Sequence, residues 1–249
     1  MAAAAWASPG GTGFFGVRGP VFLLGVFAPA IVALALTAHN EGRDGVRRLL
    51  ARIAHWQVGA RWYVFAVTYM AAMELGAALI HRALTGAWPS FGDTPVALML
   101  AAVLVSTWVQ AGEEIGWRGY ALPRLATRLG LGTASLVLGA IWALWHLALF
   151  FLPDTGSVGQ SFPLYLLHVA ALSVTMGWLY WKTGGSLLLV MLMHASVNNT
   201  LILAPAAAVP DASAFGFGGS LVAWITAGLA WVVAAPLLFL MRGARIQPR

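Results

Sequence analysis

The feature that most constrains the fold of this chain is a series of apolar stretches, each long enough to cross a bilayer. About 20 apolar residues in an α-helix span a hydrocarbon core of about 30 Å. The chain is 60% hydrophobic and only 9% charged, with a mean hydropathy of +0.81. We therefore predict an all-α fold, a polytopic transmembrane helix bundle that forms a single integral membrane domain over residues 1–249. We place about seven (7–8) spans, at approximately 20–38, 62–80, 95–120, 132–151, 162–181, 186–203 and 219–241.

The basic residues predict the orientation of these spans. Cytoplasmic loops of membrane proteins carry an excess of Arg and Lys. With seven spans, twelve of the fourteen basic residues fall on one side, and only Arg18 and Arg82 fall on the other. We expect the N-terminus outside and the C-terminus in the cytoplasm of a multi-pass protein of the cell (inner) membrane. This distribution explains the sequence pI of 10.5 without a nucleic-acid partner, and the absence of cysteine excludes disulfides and a thiol nucleophile.

Two local structures are predicted near the cytoplasmic side. Residues 46–62 read VRRLLARIAHWQVGARW, with leucine, isoleucine and tryptophan on one helical face and arginines largely elsewhere, which predicts an amphipathic helix in the membrane interface. The third span is apolar to Ala111, and we extend it as helix to a stop before Pro123.

Glu113 and Glu114 lie side by side at the inner end of that third span. A charged residue at a helix centre costs about 2.5–3.5 kcal/mol on insertion scales, and ionisable residues inside a membrane usually mark functional sites. Residues four apart share a helical face, so Glu114 and Arg118 are expected to form a salt bridge. Glu113 is rotated by about 100° from Glu114 and can point into the bundle.

Candidate partners for Glu113 lie in two other spans. Trp142 and His146 are four apart in the fourth span, and His194 and Asn198 are four apart in the sixth. We expect these helices to build one polar intramembrane cavity that opens to the cytoplasm. A carboxylate with two histidines and an amide suits hydrolysis of an acyl bond. Glu113 is then the general base that activates water, His146 positions the water, and His194 and Asn198 donate hydrogen bonds to the oxyanion.

The same residues carry a family resemblance. The strings Glu113-Glu114-Ile-Gly-Trp-Arg118, Trp142-Ala-Leu-Trp-His146 and His194-Ala-Ser-Val-Asn198 resemble the EExxxR, FxxxH and HxxxN motifs of the CPBP family. These are CAAX-protease and bacteriocin-processing intramembrane endopeptidases, also called ABI-type membrane proteins. The order and spacing match over a motif-bearing core at about residues 95–203. One departure is Trp142, which stands where the family usually has phenylalanine and adds an N–H that must find a partner.

The resemblance implies a glutamate-dependent intramembrane protease. The first motif glutamate, which activates water in the family, corresponds to Glu113, and His146, His194 and Asn198 would support it. Glu114 and Arg118 would be the structural half of the first motif. No cofactor is implied, and the expected partners are the lipid bilayer and a peptide or membrane-protein substrate that reaches the site from the cytoplasm or laterally.

Three alternatives stay open at this point. A zinc protease would use Glu113, His146 and His194 as ligands and keep one open position, although the chain has no HExxH string. A non-enzymatic immunity or scaffold protein would bind a peptide in the same cavity. A proton-coupled transporter is disfavoured because no inverted repeat is visible. Glu74 and His168 also lie within spans, and we expect Glu74 to pair with a neighbouring helix or line the cavity and His168 to be a packing residue.

Overall fold

The computed structural model describes residues 18–152, 157–200 and 213–244, and side chains from residue 22 onward within these ranges. Regular structure in these three ranges is helical throughout. The elements are α1 (Arg18–Ala51), α2 (Ala60–Thr85), α3 (Val96–Val109), α4 (Ala111–Glu114), a π-helix (Ile115–Ala121), α5 (Leu122–Leu129), α6 (Leu131–Trp145), a 3₁₀ helix (Leu147–Phe150), α7 (Phe162–Lys182), α8 (Leu187–Thr200) and α9 (Leu221–Leu240).

The lengths and composition of these helices confirm a helical membrane bundle. Five helical stretches of the described chain are long and apolar enough to cross a membrane, at Phe22–Ala51, Ala60–Thr85, Val96–Leu129, Phe162–Lys182 and Leu221–Leu240. The third of these runs from α3 through the π-helix to α5. The apolar helices α6 and α8 are shorter, at 15 and 14 residues, which correspond to about 22 and 21 Å. Each of the seven predicted spans therefore corresponds to a helical stretch.

Helix α8 lies at the centre of the bundle. It packs against α2 and α3, while α7 packs against both α6 and α9. Most of α8 is buried, including Met191, Met193 and His194. Its start is fixed by Ser186, whose hydroxyl accepts a hydrogen bond from the Leu189 amide and donates one to the His55 carbonyl. This N-cap sets the depth at which α8 places its polar residues.

Two glycines allow α1 to lie directly against the helix that carries the glutamates. A Cβ at Gly112 would lie 2.7 Å from the Val26 carbonyl oxygen, and one at Gly116 would lie 2.5 Å from the Pro29 Cβ. The two glycines are four residues apart and share a face, which is the pattern of small residues at close crossings of membrane helices. Helix α1 therefore supports the segment 112–116 from one side.

The predicted helix stop before Pro123 is wrong, because α5 continues to Leu129. Pro123 stands in the first turn of α5, directly after the π-helix, where a missing amide hydrogen is tolerated. The carbonyl four residues before it belongs to Gly119, and it accepts a hydrogen bond from Arg52 Nη1 at 3.3 Å. The Arg52 side chain thus replaces a hydrogen bond that proline cannot donate.

The predicted amphipathic helix over residues 46–62 is also wrong in extent. Helix α1 bends at Gly42, whose φ of 66° lies in the left-handed region, and ends at Ala51, while α2 begins at Ala60. On its predicted apolar face Leu49 is buried, but Trp56 is 62% exposed. Arg52 turns toward the protein, where it also donates to the Tyr180 hydroxyl at 2.5 Å. Tertiary hydrogen bonds therefore decide this connector, rather than its helical periodicity.

Candidate active site

The two adjacent glutamates are both buried, and their side chains diverge. They form the end of α4, just before the π-helix, where Glu113 is 5% and Glu114 is 0% exposed. Helices with an i→i+5 segment are rare and often mark functional sites, because the extra residue per turn re-aims the side chains that follow. Here the π-helix carries Trp117 and Arg118, each four residues after one of the glutamates. Each glutamate thus has its own partner from the π-helix.

Glu113 is held by two indole N–H groups at one of its oxygens. Its Oε2 accepts hydrogen bonds from Trp142 Nε1 at 2.6 Å and from Trp117 Nε1 at 3.3 Å. Its other oxygen, Oε1, lies 4.0 Å from His146 Nε2. That separation is too long for a direct hydrogen bond but suits one water molecule bonded to both groups. The carboxylate is therefore fixed through Oε2, and Oε1 is directed toward His146.

We predicted that His146 lies inside a helix over residues 132–151. It lies instead at the C-terminal end of α6. The helix ends at Trp145, and a 3₁₀ turn follows in which the Leu149 amide bonds to the His146 carbonyl. The His146 Nδ1 lies 2.9 Å from the Trp142 carbonyl oxygen. Because a carbonyl only accepts, Nδ1 carries a hydrogen and Nε2 is the nitrogen that faces Glu113.

Glu114 joins Arg118 and His194 in a buried ionic cluster. Its Oε1 accepts from Arg118 Nη1 at 2.9 Å and lies 2.8 Å from His194 Nδ1. The predicted Glu114–Arg118 pair is thereby confirmed, with both side chains fully buried. The contact of His194 with Glu114 was not predicted from the sequence. It orients the His194 ring, so that the second nitrogen, Nε2, is the one left for other contacts.

Trp142 contacts at least one side chain from each of the three motifs. The Arg118 guanidinium lies over its ring at 4.3 Å from the centroid. The His194 ring meets it edge-on at a centroid distance of 5.0 Å, and the His146 ring does so at 6.0 Å. The tryptophan itself is 3% exposed. Its indole N–H, which a phenylalanine would lack, donates to Glu113.

Asn198 lies one turn beyond His194 on α8 and is half-buried. The next residue, Asn199, is buried and bonds to the Ser106 hydroxyl and the Ala195 carbonyl, both at 2.8 Å. Asn199 therefore ties α8 to α3. The role of Asn198 at an oxyanion stays a prediction.

Sequence reasoning missed two aromatic residues of the site. Trp117 is four residues after Glu113, so the spacing that indicated the Glu114–Arg118 pair also indicates this contact. Tyr165 of α7 lies with its ring centroid 6.0 Å from that of His146. No motif marks Tyr165, because its position depends on how α7 packs against the end of α6.

Glu74 and His168 do not contact the glutamate pair in the hydrogen bonds and ion pairs of the described residues. Glu74 is 2% exposed, and its Oε2 has no hydrogen-bond partner among residues 18–152, 157–200 and 213–244. The same holds for His168 Nε2. In this part of the chain no three His, Asp or Glu side chains lie together in a way that would hold a metal ion.

An apolar groove of about 290 Å³ lies next to the site, between α1 and the π-helix. Its lining residues are Ala28, Pro29, Val32, Ala33, Gly116, Trp117, Tyr120, Ala121 and Trp145. Trp117 separates this groove from Glu113, since its ring lines the groove and its N–H bonds to the carboxylate. Trp145 meets Trp117 edge-on at a centroid distance of 6.0 Å.

Comparisons with known proteins agree with the motifs. Residues 94–200, which include the glutamate pair, Trp142, both histidines and Asn198, match the family model "Type II CAAX prenyl endopeptidase Rce1-like". These residues form an Rce1-like domain of the CPBP family. The chain is also 23% identical over 201 residues to "CAAX prenyl protease 2" of Methanococcus maripaludis, an alignment that covers 74% of this chain and 72% of that protein. The match over residues 94–200 and the apolar helices together support a CAAX-type intramembrane protease.

Proposed function

We propose that this protein is an endopeptidase of the glutamate type, in which Glu113 activates water for attack on a peptide bond. The observation that carries the proposal is the asymmetric setting of its carboxylate. Oε2 is occupied by two indole donors, and Oε1 lies 4.0 Å from His146 Nε2. A water molecule bonded to both would be oriented by His146 and deprotonated by Glu113.

The reaction proceeds in two steps. Glu113 Oε1 takes a proton from the water, and the resulting hydroxide forms a bond to the carbonyl carbon of the substrate. The carbonyl oxygen becomes an oxyanion in the tetrahedral intermediate. Glu113 then returns the proton to the amide nitrogen as the C–N bond breaks, which yields a carboxylic acid and an amine and restores the carboxylate.

His194 and Asn198 are proposed as donors to the oxyanion. Because His194 Nδ1 is engaged with Glu114, a donor role requires a hydrogen on Nε2, that is, the imidazolium form. In that form the buried groups Glu113, Glu114, Arg118 and His194 carry two negative and two positive charges. A cluster with no net charge is the least costly arrangement in a medium of low dielectric constant.

The substrate is proposed to be a peptide segment of a membrane-associated or cytoplasm-facing protein, cleaved without a cofactor.

The proposed orientation places the N-terminus outside and the C-terminus in the cytoplasm, since the arginine-rich ends of α1 and α5 then face the cytoplasm. Of the twelve basic residues assigned to the cytoplasmic side from the sequence, Arg118 is now excluded, because it is buried against Glu114. Eleven of the fourteen basic residues still fall on the cytoplasmic side.

The test compares the wild-type protein with Glu113→Gln in native membranes, by quantitative N-terminal peptidomics at equal protein level. Glutamine keeps the shape of the side chain but cannot accept the proton, so we expect a defined set of new N-termini to disappear while the protein remains folded. Asp93→Asn, an exposed loop position, is the matched control and should cleave like wild type.

Three results would contradict the proposal. Full cleavage by Glu113→Gln would rule out Glu113 as the general base. An unchanged biological function without any cleavage would favour a peptide-binding scaffold. Stoichiometric zinc in the purified protein, with activity lost on chelation and restored by zinc, would assign the chemistry to a metal instead.

A further inference from the structure

The buried tryptophan at position 142 does more than fill space beside Glu113. Phenylalanine, the usual residue at this position of the FxxxH motif, has a similar apolar body but no hydrogen-bond donor. Trp142 Nε1 lies 2.6 Å from Glu113 Oε2, which is shorter than the 3.3 Å of Trp117 Nε1 to the same oxygen. Hydrogen bonds to an ionised acceptor are short and strong.

We propose that Trp142 is a positioning residue that couples the Glu114–Arg118 pair to Glu113 and directs Glu113 Oε1 toward the water site. This inference rests on the proposed function, because it assigns a role in the same reaction. It gives the second half of the EExxxR motif an indirect part in the chemistry, through one indole ring.

The coupling follows from two contacts of the Trp142 indole: Arg118 lies over the face of the ring, and Glu113 accepts from the N–H at its edge. The Arg118 guanidinium lies over the ring at 4.3 Å from its centroid, where a cation is attracted to the π-face. A cation on the face draws electron density from the ring and makes its N–H a stronger donor. That N–H points at Glu113, so the charge of Arg118 reaches the carboxylate without direct contact.

The orientation of Arg118 depends in turn on Glu114. Arg118 Nη1 donates to Glu114 Oε1 at 2.9 Å, and the same oxygen receives His194 Nδ1 at 2.8 Å. The His194 ring also meets Trp142 edge-on at 5.0 Å. Trp142 is thereby held by two members of the ionic cluster, and a fixed indole holds one rotamer of the Glu113 carboxylate.

The experiment compares Trp142→Phe with Trp117→Phe in kcat and KM for one cleaved peptide, in reconstituted membranes. Each variant keeps an aromatic ring and removes one N–H to Glu113 Oε2. We expect Trp142→Phe to lower kcat about 10- to 100-fold with KM unchanged, the range for loss of a hydrogen bond to a charged group. Trp117→Phe, which removes the longer bond, should have a smaller effect.

A spectroscopic readout separates positioning from packing. The indole N–H resonance of Trp142, assigned by its absence in Trp142→Phe, should shift upfield when the acceptor is removed in Glu113→Ala. It should also shift in Arg118→Met, which leaves the acceptor in place and removes the cation. Asp93→Asn should leave it unchanged.

Three outcomes would overturn the inference. The kcat of Trp142→Phe could equal that of wild type, or kcat could fall equally in both phenylalanine variants. The third is an indole N–H resonance of Trp142 that does not shift in Glu113→Ala. The resonance is measured without substrate in the wild type, Glu113→Ala and Arg118→Met proteins, so it tests the hydrogen bond to Glu113 independently of cleavage. If Glu113→Gln cleaves normally, the proposed function fails, and the indole resonance still reports whether Trp142 bonds to Glu113.

Discussion

Glu113 and Glu114 are adjacent in the chain but serve different partners, because successive residues of a helix point about 100° apart. Glu113 receives two neutral indole donors and keeps one oxygen directed to His146. Glu114 is fully buried with Arg118 and His194. Under the proposed mechanism, Glu113 is the carboxylate that reacts, while Glu114 neutralises buried charge.

The stability of the site is expected to depend on Glu114. Glu114→Gln removes a charge but not the shape, and it leaves Arg118 buried, with Nε and Nη2 already lacking partners among the described residues. Loss of one partner of a buried ion pair costs about 3–5 kcal/mol. We expect a loss of that size in the free energy of unfolding, measured by denaturant titration in detergent.

The double variant Glu114→Gln with Arg118→Met is the control for that prediction. It removes both charges, so it should be more stable than Glu114→Gln alone. Equal stability of Glu114→Gln and wild type would show that the pair does not support the fold.

At the residue scale the sequence predicted the Glu114–Arg118 contact within one helix and missed the contact of His194 with Glu114 between two helices. The spacing of Glu114 and Arg118 was sufficient to predict their salt bridge. The contact of His194 with Glu114 joins residues 80 positions apart, and its geometry depends on the depth and rotation of α8. The indole N–H of Trp142 was expected to need a hydrogen-bond partner, but only the structure identified that partner as Glu113.

At the scale of elements, the close crossing of α1 and the π-helix determines where the glutamates lie. Gly112 and Gly116 leave no space for a side chain on the α1 face, so α1 backs the helix at the level of the glutamate pair. Arg52 adds a second restraint at the Gly119 carbonyl. The π-helix is therefore held both on the side that faces α1 and near its C-terminal end.

Gly116→Ala is expected to disturb this crossing. The added Cβ would lie 2.5 Å from Pro29 Cβ and 2.6 Å from the Pro29 carbonyl oxygen, so α1 must move. Overpacking of this kind typically costs about 1–3 kcal/mol, and cleavage should fall because the π-helix shifts with its side chains. The measurement is the unfolding transition together with the cleavage rate.

Gly228→Ala is the matched control, since a Cβ at Gly228 in α9 meets nothing within 4 Å. It should be neutral or slightly stabilising, because alanine is the better helix former. If Gly116→Ala behaved like Gly228→Ala, the crossing would be looser than the geometry indicates.

The ends of elements were harder to predict than their existence. All seven spans have helical counterparts, because apolar length alone indicates a membrane helix. The stop at Pro123 and the single helix over residues 46–62 were wrong, since both depend on Arg52. A side chain that bonds to a distant carbonyl or hydroxyl leaves no periodic signal in the sequence.

For the whole molecule, the orientation in the membrane is the prediction with the simplest test. The chain contains no cysteine, so a single introduced cysteine reports its own side. Ser213→Cys, at an exposed position before α9, should react with a membrane-impermeant maleimide in intact cells. Thr127→Cys, exposed on α5, should react only after permeabilisation. The opposite labelling pattern would reverse the orientation.

The bond between His194 and Glu114 also has a consequence for synthesis of the protein. Glu114 leaves the ribosome 80 residues before His194, which is about 4–16 s at ordinary rates of translation. During that interval Glu114 and Arg118 are in place without their third partner, and the proposed oxyanion donors do not yet exist. Under the proposed mechanism, a nascent chain therefore gains activity only after α8 has entered the bundle.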